Sequence, residues 1–434
     1  MTCKKFLLVG YGVDKINWGN RGTSLALLSL LSTKGVVNGF IYAQEKNVRL
    51  GSFPVQKVSG KLSWELYNYS QKNIATRRGR ISAFLASNLL EIGEYIKATP
   101  QDTAEFILKN TEKNPFFRSL VERVSSCDEV VINGEGDPIF TTPPRRTFLF
   151  LLVIAALASL VGKKTHFVNS VFSSSPNNTI DKTSIALAKE TLRSCSTITV
   201  RDPMSLDFVS EHLPEISALL VPDALFIWNH YYFKNLNNTL SHNKTLLFPF
   251  LDSSALFNPD IFFKPYVAIA GSSRIEGTTN DAISSFSSLI SEIKSRGIEV
   301  VCCQPGTGDE ILRTCAKITS SIYIDGSIPI MAAATILSNA ECFISGRYHP
   351  SILASCGGTP CIFLGSNSHK NIGLQKLLDY KSPHQSNCPP NATDIFDIVQ
   401  NLDAILGNQS QRNSIYSKTA QLAQQVQDFF DLYF

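Results

Sequence analysis

The sequence predicts an α/β protein built on parallel sheets and divided into two halves. Short β-branched or apolar runs alternate with periodic segments of ten or more residues, as expected for parallel strands joined by crossover helices. The alternation restarts near residue 245, after a polar stretch rich in Asn. The chain has 434 residues, and at roughly 150 residues per domain two domains are expected.

The elements follow in order. Lys5–Val9 (KFLLV) reads as a strand, followed by a Gly-containing loop and a helix over Thr23–Ser32. The segment Asn73–Lys113 is more polar and reads as an insertion, with Arg77, Arg78 and Arg80 on an exposed basic turn. Glu129–Ile132 is a strand that ends in Asn133-Gly134-Glu135-Gly136. Phe148–Val161 is an uninterrupted run of 14 apolar or small residues. A membrane span needs about 20, so a buried helix is expected. Thr165–Asn169 and Ser196–Val200 are strands around a helix over Lys182–Ser194. Beyond the polar boundary at Tyr232–Lys244, Tyr266–Ala270 is a strand and Asp281–Arg296 a helix stopped by Gly297. Glu299–Cys303, Ser321–Asp325, Glu341–Ile344 and Pro360–Leu364 complete the strands. Gln409–Phe434 is an amphipathic helix with Leu422, Val426, Phe429, Phe430 and Tyr433 on one face. The expected division is residues 1–238, 239–408 and a C-terminal helix, 409–434, that packs on or crosses to the first domain.

Composition narrows the function. Lys and Arg total 40 against 36 Asp and Glu, a net charge of +4. That excludes a strongly basic nucleic-acid binder as the default and leaves room for a local cationic pocket. Charged residues are 18% and apolar residues 44% of the chain, which excludes wholesale disorder. Ten cysteines are scattered without a CxxC pair, so no metal or redox site is expected. The N-terminal apolar run is too short for a secretory segment, and a cytoplasmic location is expected.

Ligands of open α/β sheets bind beyond the carboxyl ends of the strands. The first strand is followed by Asn17-Trp18-Gly19-Asn20-Arg21-Gly22-Thr23, a loop entering a helix whose free N–H groups can hold an anion. Asn133-Gly134-Glu135-Gly136-Asp137 places carboxylates between glycines, with Glu135 or Asp137 as a base toward a sugar hydroxyl. Arg201-Asp202 follows the Ser196–Val200 strand, either as a structural ion pair or as a fork for a carboxylate or phosphate. Asp223 lies at another strand end and either orients Arg201 or bridges the domains. The densest cluster is Gly346-Arg347-Tyr348-His349-Pro350, between a strand and a helix over Ser351–Ser355. Lys370 follows the last strand as a further ligand contact.

This string of motifs resembles the polysaccharide pyruvyl transferase family. The matching pieces are Asn20-Arg21-Gly22, Asn133-Gly134-Glu135-Gly136, Val200-Arg201-Asp202-x-x-Ser205, Val221-Pro222-Asp223-Ala224 and Gly346-Arg347-Tyr348-His349, then Gly357-Gly358-x-Pro360 with Lys370. They span about residues 5–380. Tyr348 stands where Leu is common in the family, and Pro350 after the His is less usual. The resemblance implies two Rossmann-like domains in a GT-B-like arrangement with the active site in the interdomain cleft. It implies transfer of a pyruvyl group from phosphoenolpyruvate to a sugar hydroxyl pair of a cell-surface glycan, with no cofactor and no metal. Catalytic roles would fall to His349, Arg347, Arg201 and Glu135. The donor would be bound by Arg201, Arg347, His349, Lys370, Ser272 and Arg274, and the acceptor by Asn17, Asn20, Gly22, Asn133 and Glu135. Arg201 would then face Arg347 and His349 across the domains, which would close on the substrates. A lipid-linked acceptor would place the enzyme peripherally at the inner membrane face. Two other readings remain open. One is a GT-B glycosyltransferase with a nucleotide-sugar pocket at Gly271–Arg274 and Glu276. The other is a glycan-binding protein without catalysis.

Overall fold

Lys5–Tyr11 (β1) is buried after its first residue, with the apolar run Phe6–Val9 at its centre, as a central parallel strand covered on both faces must be. The computed structural model describes residues 3–13, 16–42, 76–78, 81, 99–112, 114–142, 144–233, 264–275 and 277–434. Arg80, Glu276 and the expected boundary beyond Phe233 lie outside them, while Arg77 and Arg78 are exposed. The strands that follow are Val36–Tyr42 (β2), Glu129–Glu135 (β3), Ile139–Phe140 (β4), Lys164–Ser170 (β5), Ser173–Ser174 (β6), Thr197–Val200 (β7) and Leu219–Leu220 (β8). They form one sheet in the order β2-β1-β3-β5-β7-β8, with β4 and β6 as a separate pair. β1 runs parallel to β2 and β3, and β3 parallel to β5.

The apolar run forms the helix Arg146–Leu160. Phe148, Leu151, Leu152, Ile154, Ala155 and Leu157 are buried, and Phe148 packs edge-on against Phe140 and Phe167. Its uniform apolarity is that of a helix enclosed by protein. No helix among the described residues is long and apolar enough to cross a membrane.

The second sheet is built from Tyr266–Ser272 (β9), Glu299–Cys303 (β10), Ile322–Ile324 (β11), Cys342–Gly346 (β12) and Cys361–Phe363 (β13). Its order is β11-β10-β9-β12-β13, and all four pairings are parallel. The helix Thr279–Lys294 carries a capping box between Thr278 and Asp281. It buries Phe286, Leu289, Ile290 and Ile293 in a core shared with Val267, Ile269, Val300 and Ile344. Chain order runs outward in both directions from β9 and β12. The switch point therefore lies beyond Ser272 and Gly346, where such sheets bind ligands.

The described residues group into two compact units. One draws on Met1–Tyr11, Gly35–Thr199 and Phe208–Leu219, the other on Gly12–Lys34, Val200–Asp207 and Leu220–Phe434. This division differs from a single cut near residue 239. It gives the second unit the first long helix, the Arg201 loop and the Asp223 turn. Their side chains explain the assignment. Trp228 Nε1 in the second unit donates to the Gly22 carbonyl at 3.1 Å, and Gly22 is closed in by Leu225. The C-terminal helix, Gln409–Tyr433, belongs to the same unit and buries Leu422, Val426, Phe429 and Phe430. Tyr433 stays partly exposed. Asn229 Nδ2 ties this helix in by donating to Thr419 Oγ1 at 3.0 Å.

Candidate functional site

The second unit gathers the strand-end motifs. Arg201 follows β7 and is buried with only 1% of its surface exposed. Its Nη1 donates to Asp223 Oδ2 at 2.8 Å and lies 2.9 Å from His349 Nε2. The guanidinium sits 4.2 Å over the Tyr348 ring, an arrangement that favours a buried cation. Asp223 is fully buried. One of its oxygens caps the following turn by accepting from Leu225 N at 2.9 Å, and the other lies 3.3 Å from His349 Nε2. Burial pushes the Asp223 carboxyl up, but Arg201 and His349 outweigh it and hold the group below the usual carboxylate range. A guanidinium only donates, so at 2.9 Å the facing His349 nitrogen accepts.

Local sequence sets these positions. The helix expected from Ser351 starts at Tyr348, with Arg347 as its N-cap residue. Pro350 then falls in the first turn, where a missing N–H costs nothing. The helix expected from Thr23 starts at Trp18, because the Asn17 side chain accepts from Asn20 N at 3.2 Å. The Gly/Asn-rich stretch is therefore helix rather than loop. Its glycines permit close approach, since a Cβ on Gly19 would stand 2.4 Å from His349 Nδ1. The Arg-Asp-x-x-Ser motif has a comparable logic. Asp202 accepts from Ser205 N and Ser205 Oγ, both at 2.9 Å, at the start of the helix Pro203–His212. His369 Nε2 approaches Asp202 Oδ1 at 3.4 Å, which links this motif to the segment before Lys370.

Arg347 makes a second charged centre. Its Nε lies 3.0 Å from Oδ2 of the buried Asp309, and its Nη2 donates to the Thr307 carbonyl. Burial pushes the Asp309 carboxyl up to about 7, against the pull of Arg347. Lys370 Nζ donates to Asn367 Oδ1 at 2.7 Å, with Ser273 Oγ at 3.4 Å. Ser272 Oγ is occupied with the Gly365 carbonyl and with Arg274 N. Arg274 itself is exposed.

The structure thus brings Arg201, Arg347 and His349 into one unit, with Asn17, Asn20, Gly22, Ser272, Arg274 and Lys370. This corrects the expectation that Arg201 lies on the opposite domain from His349. The two are hydrogen-bonded because the chain turns into the second unit at Val200. Gly22 packs beneath Leu225. Sequence reasoning missed Asp309, Gly19, His369 and the stacking role of Tyr348. Asp309 had a signal, since it lies in the Gly-rich loop after β10. Gly19 had none, because close approach appears only once helix and site are packed.

Glu135 and Asn133 belong to the first unit. Glu135 is a non-glycine residue with φ 47°, and the neighbouring strand end holds Asn169 at φ 59°. Asn133 Nδ2 donates to Glu135 Oε1 at 3.0 Å, and Asn133 Oδ1 accepts from Asn169 Nδ2 at 3.2 Å. Gly134 is required here, since a Cβ would meet Ser170 Oγ at 2.1 Å. Left-handed non-glycine residues cost energy and cluster at functional sites.

A family model described as polysaccharide pyruvyl transferase matches residues 40–368, most of the chain. No curated protein sequence matches it. Among solved structures, the UDP co-structure of S. aureus MnaA has a TM-score of 0.51 at 10% identity, covering 99% of this chain and 97% of that one. UDP-GlcNAc 2-epimerase from Neisseria meningitidis, bound to UDP-GlcNAc, gives 0.49 at 11% identity over 97% and 99% of the two chains. Arabidopsis thaliana UGT89C1 complexed with quercetin gives 0.49 at 9% identity over 99% of each. At such identities the MnaA likeness shows the fold alone: two Rossmann-like α/β units of the GT-B-like class.

Proposed function

Since the chain belongs to the polysaccharide pyruvyl transferase family, we propose that it transfers the pyruvyl group of phosphoenolpyruvate to two hydroxyls of a glycan sugar, forming a ketal. The observation that carries this reading is the Arg201–Asp223–His349 cluster, a cation, a carboxylate and an imidazole within 3.3 Å of one another in one unit. Phosphoenolpyruvate carries a phosphate and a carboxylate, which Arg201, Arg347 and Lys370 suit as cationic partners. His349 acts as the acid and delivers a proton to the vinyl CH2 carbon, which becomes CH3 and leaves C2 cationic. Asp223 and Arg201 hold the imidazole in position through Nε2. One sugar hydroxyl adds to C2, the second displaces phosphate, and their protons go to His349 and to the departing phosphate. Glu135 and Asn133, in the first unit, are the acceptor-side candidates. The reaction draws only on these side chains and the two substrates.

The test is phosphate release from phosphoenolpyruvate in the presence of a glycan acceptor, with the ketal detected by mass spectrometry. His349→Ala should abolish turnover while phosphoenolpyruvate still binds, and Arg201→Ala and Arg347→Ala should weaken binding as well. A thermal shift with a nucleotide diphosphate but none with phosphoenolpyruvate would instead favour a nucleotide-sugar transferase.

A further inference from the structure

A notch over Gly306 lies between two donors, Asn17 Nδ2 and Arg347 Nη1. An ideal Cβ on Gly306 would stand 3.3 Å from Asn17 Nδ2 and 3.4 Å from Arg347 Nη1. The orientation of both groups is fixed from behind. Asn17 Oδ1 is held by Asn20 N, so its amide N–H groups are left to face Gly306. Arg347 Nη2 donates to the Thr307 carbonyl, and its Nε pairs by charge with Asp309 Oδ2 at 3.0 Å. Neither Asn17 Nδ2 nor Arg347 Nη1 has a hydrogen-bond partner among the described residues. Gly308, at φ +97°, turns the loop that frames them.

We propose that Asn17 Nδ2 and Arg347 Nη1 together hold one anionic oxygen of the donor above Gly306, and that the absent side chain at 306 keeps this seat open. Two converging donors, one permanently charged and neither able to accept, select an anionic oxygen over a hydroxyl. Asp309 is the positioning residue, since its buried carboxylate stands 3.0 Å from Arg347 Nε, away from Nη1. Asn17, expected at the acceptor, thereby serves the donor. The identity of the ligand rests on the function proposed above, and the seat itself rests on the geometry. The oxygen belongs to a phosphate or a carboxylate, and the experiment separates the two.

Wild-type protein, Gly306→Ala, Asn17→Asp and Asn17→Ser are titrated calorimetrically with phosphoenolpyruvate, inorganic phosphate, pyruvate and UDP. Asp and Ser both cap helices, so both Asn17 variants keep the helix start, and only Asp places a negative charge in the seat. Gly306→Ala and Asn17→Asp should weaken phosphoenolpyruvate binding on the order of 10- to 100-fold, with Asn17→Ser in between. A parallel loss with inorganic phosphate identifies a phosphate oxygen, and one with pyruvate identifies a carboxylate oxygen. Unchanged binding of every anion by Asn17→Asp overturns the proposal, even if Gly306→Ala fails to fold. If the wild type binds UDP and not phosphoenolpyruvate, the pyruvyl reading fails. The seat then stands if the variants weaken UDP and falls if they do not. A wild type that binds none of the four overturns both.

Discussion

Replacing Gly19 with Ala should cost activity without costing the fold. The new Cβ would lie 2.4 Å from His349 Nδ1 and 2.7 Å from His349 Cβ, where ordinary contact begins at 3.4 Å. Ring and helix must therefore separate by about 1 Å. Rotating the imidazole does not relieve the clash, because its own Cβ is also too close. A misplacement of that size at a reacting group costs on the order of 100-fold in rate. The backbone works the other way, since Ala is the better helix former, though by less than the about 1 kcal/mol of a helix interior because Gly19 lies in the first turn. The assay is kcat and KM for phosphate release from phosphoenolpyruvate, beside thermal unfolding of the same preparation. A large fall in kcat with a near-native melt is the expected result. A wild-type kcat in a folded Gly19→Ala protein would refute the assignment of His349 as the acid at this position.

Three further outcomes are expected. The Tyr348 hydroxyl is buried without a hydrogen-bond partner among the described residues. Tyr348→Phe should therefore hold or raise the melting temperature, while Tyr348→Leu, which restores the residue common in the family, should lose about 0.5–2 kcal/mol with the ring under Arg201. Burial raises Asp309 to about 7, so its contribution to stability is full below the unfolded carboxyl value and fades as pH rises through about 7. Urea midpoints of Asp309→Asn should lack that decline. Burial pushes Glu129 up, but hydrogen bonds from His166 and Lys4 outweigh it and bring the group to about 2. Its contribution is therefore present above about 4.5 and lost as pH falls through about 2, and acid titration of Glu129→Gln should show a smaller loss over that window.

Much of the fold was legible because strand burial is written locally. Runs such as KFLLV and EVVCC can only lie between two covered faces, and the apolar run after Arg146 is too short for a membrane and too apolar for a surface. Element starts were less legible. Trp18 and Tyr348 begin their helices earlier than propensity suggests; the first start is set by the Asn17 side-chain cap, and glycines are retained in that helix for packing. The strand-end rule found Arg201, Arg347 and His349, since loops after parallel strands share one edge of a sheet.

The sequence by itself determined the α/β class, the order of the strands along the chain, the family resemblance and the residue types of the site. Only the tertiary structure decided which of those residues meet. Arg201 joins His349 in one unit because Asp223 and the packed helix at Gly19 surround them there, and both are remote from His349 in the chain. Asp309 acquired its role the same way, through burial beside a single cation. The modest net charge of +4 conceals both centres, because each arginine has a buried carboxylate against it. A local pattern carries the periodicity of burial, whereas ion pairing depends on distance through space, which the linear order of residues does not contain.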